Sequence, residues 1–76
     1  MKRLSELKPG EIGFIESIGE KGTFRQHLID MGMIPGTQVN VIRFAPLGDP
    51  IQISIRGYEL GIRKSEAKKI LVSTKL

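Results

Sequence analysis

The chain has 76 residues, no cysteine and a formal net charge of +4 at pH 7. This length suits one small domain, which we expect to occupy residues 1–76. The lack of cysteine excludes disulfides, thiolate metal sites and cysteine nucleophiles. The positive charge favours an acidic partner, but acidic residues are interspersed among the lysines and arginines along the whole chain. That pattern is typical of an ordinary solvated surface.

The chain begins Met1-Lys2-Arg3-Leu4 and turns polar at Ser5, with no apolar stretch behind the basic residues. This start does not match a signal peptide. Nowhere does the chain contain about eighteen consecutive apolar residues, the length that a membrane-spanning helix needs. We therefore expect a soluble, cytoplasmic protein that does not insert into a membrane.

The first predicted strand runs from Glu11 to Ile18. Its apolar residues alternate imperfectly, with Ile12, Phe14 and Ile18 on one face, which we expect to point inward, and Ile15 on the other. This is the pattern expected if part of the second face is also covered. Gly13 within this strand indicates a bulge or a close approach of another part of the chain.

From about residue 23 the period of the apolar residues changes. Phe24, Leu28 and Met31 lie at positions i, i+4 and i+7, which predicts an amphipathic helix of about two and a half turns. Gly32 suits the left-handed position that ends a helix, and Pro35-Gly36 predicts a tight turn directly after it. We expect the next strand to begin at Thr37.

The second half of the chain predicts short strands joined by tight turns. Strand Thr37–Phe44 is followed by the rigid connection Ala45–Pro50, which contains two prolines. Isoleucine then alternates with polar residues from position 51 to 56, the clearest strand pattern in the chain. The alternation resumes after Gly57, where it predicts that Tyr58 belongs to the core. A last short strand is expected over residues 70–72.

About five short strands in so small a chain favour a mainly β fold. A small closed or half-closed β-barrel removes exposed sheet edges and encloses a limited set of isoleucines and valines. The short helix inserted after the first strand would cover one open end of this barrel.

Three blocks of the sequence closely resemble the ferrous-iron transport protein A family. They are His27–Gly36, Ala45–Pro50 and Ile55–Leu60, within a match that runs from about residue 4 to 72. The resemblance implies an SH3-like β-barrel with an added helix, in the cytoplasm of a bacterium. It also implies a noncatalytic accessory module that binds and regulates the ferrous-iron permease and its GTPase domain, and so reaches the inner membrane.

Candidate partner-binding residues are apolar or mixed side chains beside turns. Leu47 lies at the centre of the proline-fixed connection, where its alternative role is to plug the barrel end. Arg56 and Tyr58 flank Gly57 and form a charged and aromatic pair of the kind enriched in interfaces. The candidate set is Met33, Ile34, Leu47, Asp49, Arg56 and Tyr58. A homo-oligomer is left open.

A metal-sensor function is one alternative. His27 and Asp30 lie three residues apart on the predicted helix and share a face, so together they offer an imidazole and a carboxylate. Two ligands make a poor site, and the chain has no second histidine. We therefore expect no required cofactor, and at most weak binding of Fe²⁺ or another divalent metal.

Nucleic-acid binding and catalysis are further alternatives. Small barrels bind RNA through stacked aromatic residues on a basic face, but the four aromatic residues here are mostly assigned inward, so nucleic acid is not the expected partner. The chain contains no Gly-x-Ser-x-Gly elbow and no phosphate-binding glycine loop, which argues against an enzyme. A single arginine inserted into a GTPase is the remaining catalytic role, with Arg25, Arg43, Arg56 and Arg63 as candidates.

Overall fold

The computed structural model describes residues 1–19 and 21–74. Within them the chain forms β1 (Lys2–Arg3), β2 (Ile12–Ser17), α1 (Thr23–Asp30), β3 (Gln38–Phe44), β4 (Ile51–Ile55), β5 (Tyr58–Ile62), α2 (Lys64–Ala67) and β6 (Leu71–Ser73). A 3-10 turn over Leu4–Glu6 follows β1.

The strands form one antiparallel sheet in the order β1-β6-β2-β3-β4-β5. The predicted mainly β fold with an inserted helix is confirmed. The additional strand is β1, whose two residues pair with Val72 and Leu71 of β6. Two residues are too few to show a strand period, so only the pairing with a distant strand reveals β1.

The hydrophobic core lies on the inner face of this sheet. The predicted alternation of β4 is confirmed, because Ile51, Ile53 and Ile55 are all buried while the residues between them are half-buried. Burying such a side chain contributes about 1.5–3 kcal/mol each. The remaining buried members of the cluster come from every part of the chain: Leu4, Leu7, Ile15, Ile18, Leu28, Met33, Val39, Val41, Ile62, Ala67, Ile70 and Val72.

The predicted inward face of β2 is wrong at Ile12. This side chain is 44% exposed, whereas Gly13 and Ile15 are buried. A Cβ atom on Gly13 would lie 3.1 Å from both Leu7 Cδ1 and Val72 Cβ. The inward position holds a glycine because its neighbours already fill the space. A glycine has no apolar side chain, so the alternation of apolar residues does not reveal that this position faces inward.

The predicted end of α1 is confirmed. Gly32 has a positive φ of 96°, its N–H donates to the carbonyl of Ile29 at 2.9 Å, and the N–H of Met33 donates to the carbonyl of Leu28 at 3.0 Å. These two bonds form a Schellman motif, which satisfies the last carbonyls of a helix and requires a left-handed residue. Glycine adopts that conformation without steric cost.

A turn then leads into β3. The N–H of Thr37 donates to the carbonyl of Ile34 at 3.0 Å, and Gly36 has a φ of 90°, as expected for a turn with proline second and glycine third. The strand begins at Gln38, one residue later than predicted.

Strands β4 and β5 form a hairpin with a two-residue loop. Ile55 pairs with Tyr58, and the intervening Arg56 and Gly57 both have positive φ, 47° and 88°. This is the type I′ geometry, whose twist matches that of the flanking strands. The predicted change of direction at Gly57 is confirmed.

Helix α1 extends between two distant parts of the sheet. Near its first residues, the Nζ atom of Lys69 lies 5.2 Å from the centre of the Phe24 ring. At its other end, the hydroxyl of Tyr58 donates to the carbonyl of Met31. The helix therefore connects the segment before β6 with the β4–β5 hairpin. Among the described residues, no helix has the length and apolar character needed to cross a membrane.

Candidate binding surfaces at the two ends of strand β4

The predicted partner-binding residues divide between the two ends of β4. Leu47 and Asp49 lie in the loop that precedes the strand, and Arg56 and Tyr58 lie at the hairpin that follows it. β4 has five residues, so its ends are about 13 Å apart at the rise of a strand. We call residues 45–50 the loop surface. We call Met31, Gly32, Arg56 and Tyr58 the hairpin corner.

The loop surface is held by three hydrogen bonds. The N–H of Ala45 donates to the carbonyl of Pro50 at 3.0 Å, and the N–H of Gly48 donates to the carbonyl of Ala45 at 2.7 Å. The N–H of Lys64, the first residue of α2, donates to Asp49 Oδ1 at 2.9 Å. The first bond closes the base of the loop and the third attaches it to α2, so the loop conformation is defined without any contact from its apolar side chain.

Leu47 projects from this fixed loop and is 97% exposed. The proposal that it plugs the barrel end is therefore wrong, because a plug would be covered by the core. Its whole side chain is therefore open to a partner, on a loop that hydrogen bonds hold in place. Burial of the whole side chain would contribute about 1.5–3 kcal/mol.

The hairpin corner is built from residues far apart in sequence. The Tyr58 hydroxyl donates to the carbonyl of Met31, 27 residues away. Arg56 Cδ lies only 2.8 Å from the position that a Cβ atom on Gly32 would occupy. The absence of a side chain at position 32 thus leaves the space in which the Arg56 stem packs.

The prediction that Tyr58 belongs to the core is wrong, since its side chain is 43% exposed. Tyr58 is the first residue of β5 and pairs with the buried Ile55, but burial along β5 increases only from Leu60 to Ile62. It contributes a hydrogen bond at the edge and leaves ring surface open to solvent.

Met33 and Ile34 have opposite environments. Met33 is fully buried in the core, so its candidate role as a surface contact is wrong for this conformation. Ile34 is 40% exposed and follows the hairpin corner by two residues. The Schellman motif directs Met33 inward, and the turn that follows places Ile34 outward.

The candidate metal residues lie on an exposed part of α1. Both His27 and Asp30 are exposed, and Asp30 Oδ1 accepts a hydrogen bond from Gln26 Nε2 at 2.9 Å. Within residues 1–19 and 21–74, no three His, Asp or Glu side chains come together in a group that could hold a metal ion. Metal binding by His27 and Asp30 stays a prediction.

Exposed aromatic rings do not form a stacking platform. Phe44 and Tyr58 are 39% and 43% exposed, but Phe44 pairs with Ile51 and Tyr58 with Ile55, so they lie at opposite ends of β4. Nucleic-acid recognition by stacking needs neighbouring rings, and this arrangement does not favour it.

An open cleft of about 510 Å³ lies at the beginning of α1, lined by Gly19, Lys21, Gly22, Thr23, Phe24 and Lys69. The two lysines give it a positive character, and the contact of Lys69 with the Phe24 ring occupies one wall. The predicted partner and metal residues are not among those that line it.

Comparison with known proteins decides the family. The model of the FeoA domain matches residues 2–74. The chain belongs to the FeoA family. A relative from Porphyromonas gingivalis (strain ATCC BAA-308 / W83), the Fe(2+) transport protein A/Fe(2+) transporter FeoB fusion protein, is 37% identical over 70 residues. The alignment covers 92% of this chain but only 8% of that relative.

Solved structures of FeoA proteins share the fold. The solution structure of FeoA from Chlorobium tepidum is 42% identical with a TM-score of 0.88, over 96% of this chain and 69% of that one. The crystal structure of Stenotrophomonas maltophilia FeoA complexed with zinc is 26% identical with a TM-score of 0.80, over 92% and 87% of the two chains. That protein is described as a prokaryotic SH3 domain protein. The predicted SH3-like fold is confirmed.

Proposed function

We propose that this chain is a noncatalytic module that binds and regulates the ferrous-iron permease at the cytoplasmic face of the inner membrane. The loop surface is the contact, and Leu47 is the residue that enters the partner. No cofactor is needed for this role, because the contact consists of a fixed loop and an apolar side chain.

The fusion relative supports the choice of partner. In the P. gingivalis protein, the FeoA part and the FeoB transporter belong to one polypeptide. Joining two modules in one chain keeps them at high effective concentration, which is useful when they act on each other. A ferrous-iron transport activating role has also been suggested for the S. maltophilia protein.

The observation that carries the proposal is the 97% exposure of Leu47 on a loop whose conformation is already fixed. A preformed loop loses little conformational entropy on association. A leucine at its tip contributes its full burial free energy to the complex rather than to the fold. The loop surface therefore combines a favourable contact with a small ordering cost.

The test is a titration of the isotopically labelled protein with the detergent-solubilised permease, followed by NMR shifts and calorimetry. We expect the shifts to centre on residues 45–50. The Leu47→Glu variant should remain folded and bind at least about tenfold more weakly, because a charge would replace a buried apolar contact.

A matched control separates a specific contact from a general loss of apolar surface. Ile12→Glu places the same charge on an exposed isoleucine of β2, opposite Asn40 and outside the loop surface. Its affinity should change less than about threefold. An unchanged affinity in folded Leu47→Glu would remove the loop from the interface.

A parallel anaerobic titration with ferrous iron examines the metal-sensor alternative. Shifts centred on His27, without any permease binding, would replace the adaptor function with a metal-sensing one.

A further inference from the structure

Arg56 occupies a backbone conformation that arginine rarely adopts. It is the one described residue other than glycine with a positive φ, at 47°. The first central position of a type I′ hairpin favours glycine, which has no Cβ atom, or asparagine and aspartate, whose short polar side chains tolerate the left-handed region. A long side chain in this position is unfavourable for the backbone, and such a feature points from local strain to function.

The aliphatic part of the Arg56 side chain, its stem, packs beside Gly32. A Cβ atom on residue 32 would lie only 2.8 Å from Arg56 Cδ. The glycine at that position therefore leaves room for the aliphatic part of the arginine side chain. Tyr58, two residues further on, fixes the hairpin to the end of α1 through its bond to the Met31 carbonyl. The guanidinium is therefore carried on a restrained stem, which lowers the entropy lost when it binds.

The guanidinium has no structural partner within residues 1–19 and 21–74. It makes no hydrogen bond or ion pair with any of them. Three carbonyls at the end of α1 do not need it, because those of Leu28 and Ile29 accept backbone N–H groups and that of Met31 accepts the Tyr58 hydroxyl. Capping these three carbonyls does not explain the arginine.

We infer that Arg56 is an anchoring residue that binds a carboxylate on a protein partner. This inference rests on the proposed function and adds a second contact at the opposite end of β4 from Leu47. The planar guanidinium matches a carboxylate through two parallel hydrogen bonds.

The surroundings favour a protein over a polyanion. Tyr58 and Ile34 beside the corner are 43% and 40% exposed, and a mixture of arginine, aromatic and aliphatic surface is typical of protein interfaces.

The test compares the binding of Arg56→Asn and of the unmodified protein to the solubilised permease at several NaCl concentrations. Asparagine tolerates a positive φ, so the variant should melt at the same temperature or higher. Its affinity should fall about tenfold or more and depend less on salt. Arg56→Lys keeps the charge but cannot form two parallel hydrogen bonds with one carboxylate. Its affinity should lie between those of Arg56→Asn and the unmodified protein.

A second pair of variants moves the arginine without removing it. Gly32→Ala imposes a side chain at a positive φ and also displaces the Arg56 stem, whereas Gly36→Ala imposes the same backbone cost with no atom within 4 Å of the new Cβ. Both should lower the melting temperature. Only Gly32→Ala should also weaken permease binding.

The outcomes separate this inference from the proposed function. Unchanged affinity in Arg56→Asn, together with weakened binding in Leu47→Glu, overturns the carboxylate anchor and leaves the proposed function standing. A lower melting temperature of Arg56→Asn with unchanged binding makes the residue purely structural. A reduced rate of permease GTP hydrolysis at saturating protein, with unchanged affinity, assigns Arg56 to the GTPase and also overturns the anchor. Failure of the unmodified protein to bind overturns both proposals.

Discussion

The two ends of β4 expose side chains for different physical reasons. At the loop surface, hydrogen bonds fix the backbone and the Leu47 side chain is 97% exposed. At the hairpin corner, Arg56 and Tyr58 are also exposed but reach the end of α1. An exposed residue can thus be dispensable for folding at one end and involved in tertiary contacts at the other. Variants at the two ends should show this as different free energies of unfolding.

The largest effect is expected for Gly32→Val in the hairpin corner. Valine disfavours the positive φ of 96° at this position, and its side chain would collide with the Arg56 stem. We expect the free energy of unfolding to fall by about 2–4 kcal/mol, measured by urea denaturation. A loss below about 0.5 kcal/mol would mean that α1 does not end in a left-handed residue.

Asp49→Ala should have the next effect, at the loop surface. It removes the acceptor for the Lys64 N–H at the start of α2, which should lower the free energy of unfolding by about 1 kcal/mol, as for other helix N-terminal acceptors. Asp49→Asn keeps an acceptor oxygen and is the matched control. Equal losses in both variants would show that the carboxylate charge, rather than the hydrogen bond, stabilises the loop.

Tyr58→Phe should have a similar or smaller effect at the other end. It removes the hydroxyl that donates to the Met31 carbonyl but keeps the ring. The expected loss is about 0.5–1 kcal/mol, with faster amide exchange at residues 31–33 in NMR. Unaltered exchange there would show that the bond does not hold α1 to the hairpin.

Leu47→Glu, the variant used for permease binding, should have the smallest effect on stability. Because Leu47 is 97% exposed, the free energy of unfolding should change by less than about 0.5 kcal/mol. A larger loss would mean that the leucine contacts the fold and would weaken its assignment to an interface.

Local features of the chain were predictable where one or two residues dictate the backbone. Gly32 ends α1 and Pro35-Gly36 forms a turn because proline restricts φ and glycine tolerates positive values, and neither property depends on distant residues. The isoleucines of β4 are buried as their alternation predicts. The resemblance of three sequence blocks to the FeoA family supplied the fold and the proposed partner.

The candidate site was predictable only in part. Leu47 and Arg56 are exposed as a contact residue must be, whereas Met33 lies in the core. The sequence did not predict that the Arg56 side chain packs beside Gly32, nor that Asp49 accepts a hydrogen bond from α2. The two residues Arg56-Gly57 between two alternating segments were the available sequence signal for a type I′ hairpin. That signal does not indicate which residue the arginine packs against.

The sequence by itself determined the mainly β class, the end of α1, the turns and the buried face of β4. These follow from steric limits on φ and from short-range periodicity. Only the tertiary structure decided that Tyr58 lies at the surface, that β1 pairs with β6 and that Gly13 rather than Ile12 faces inward. Each of these depends on contacts between residues far apart in the chain, and such contacts leave no mark on a local pattern.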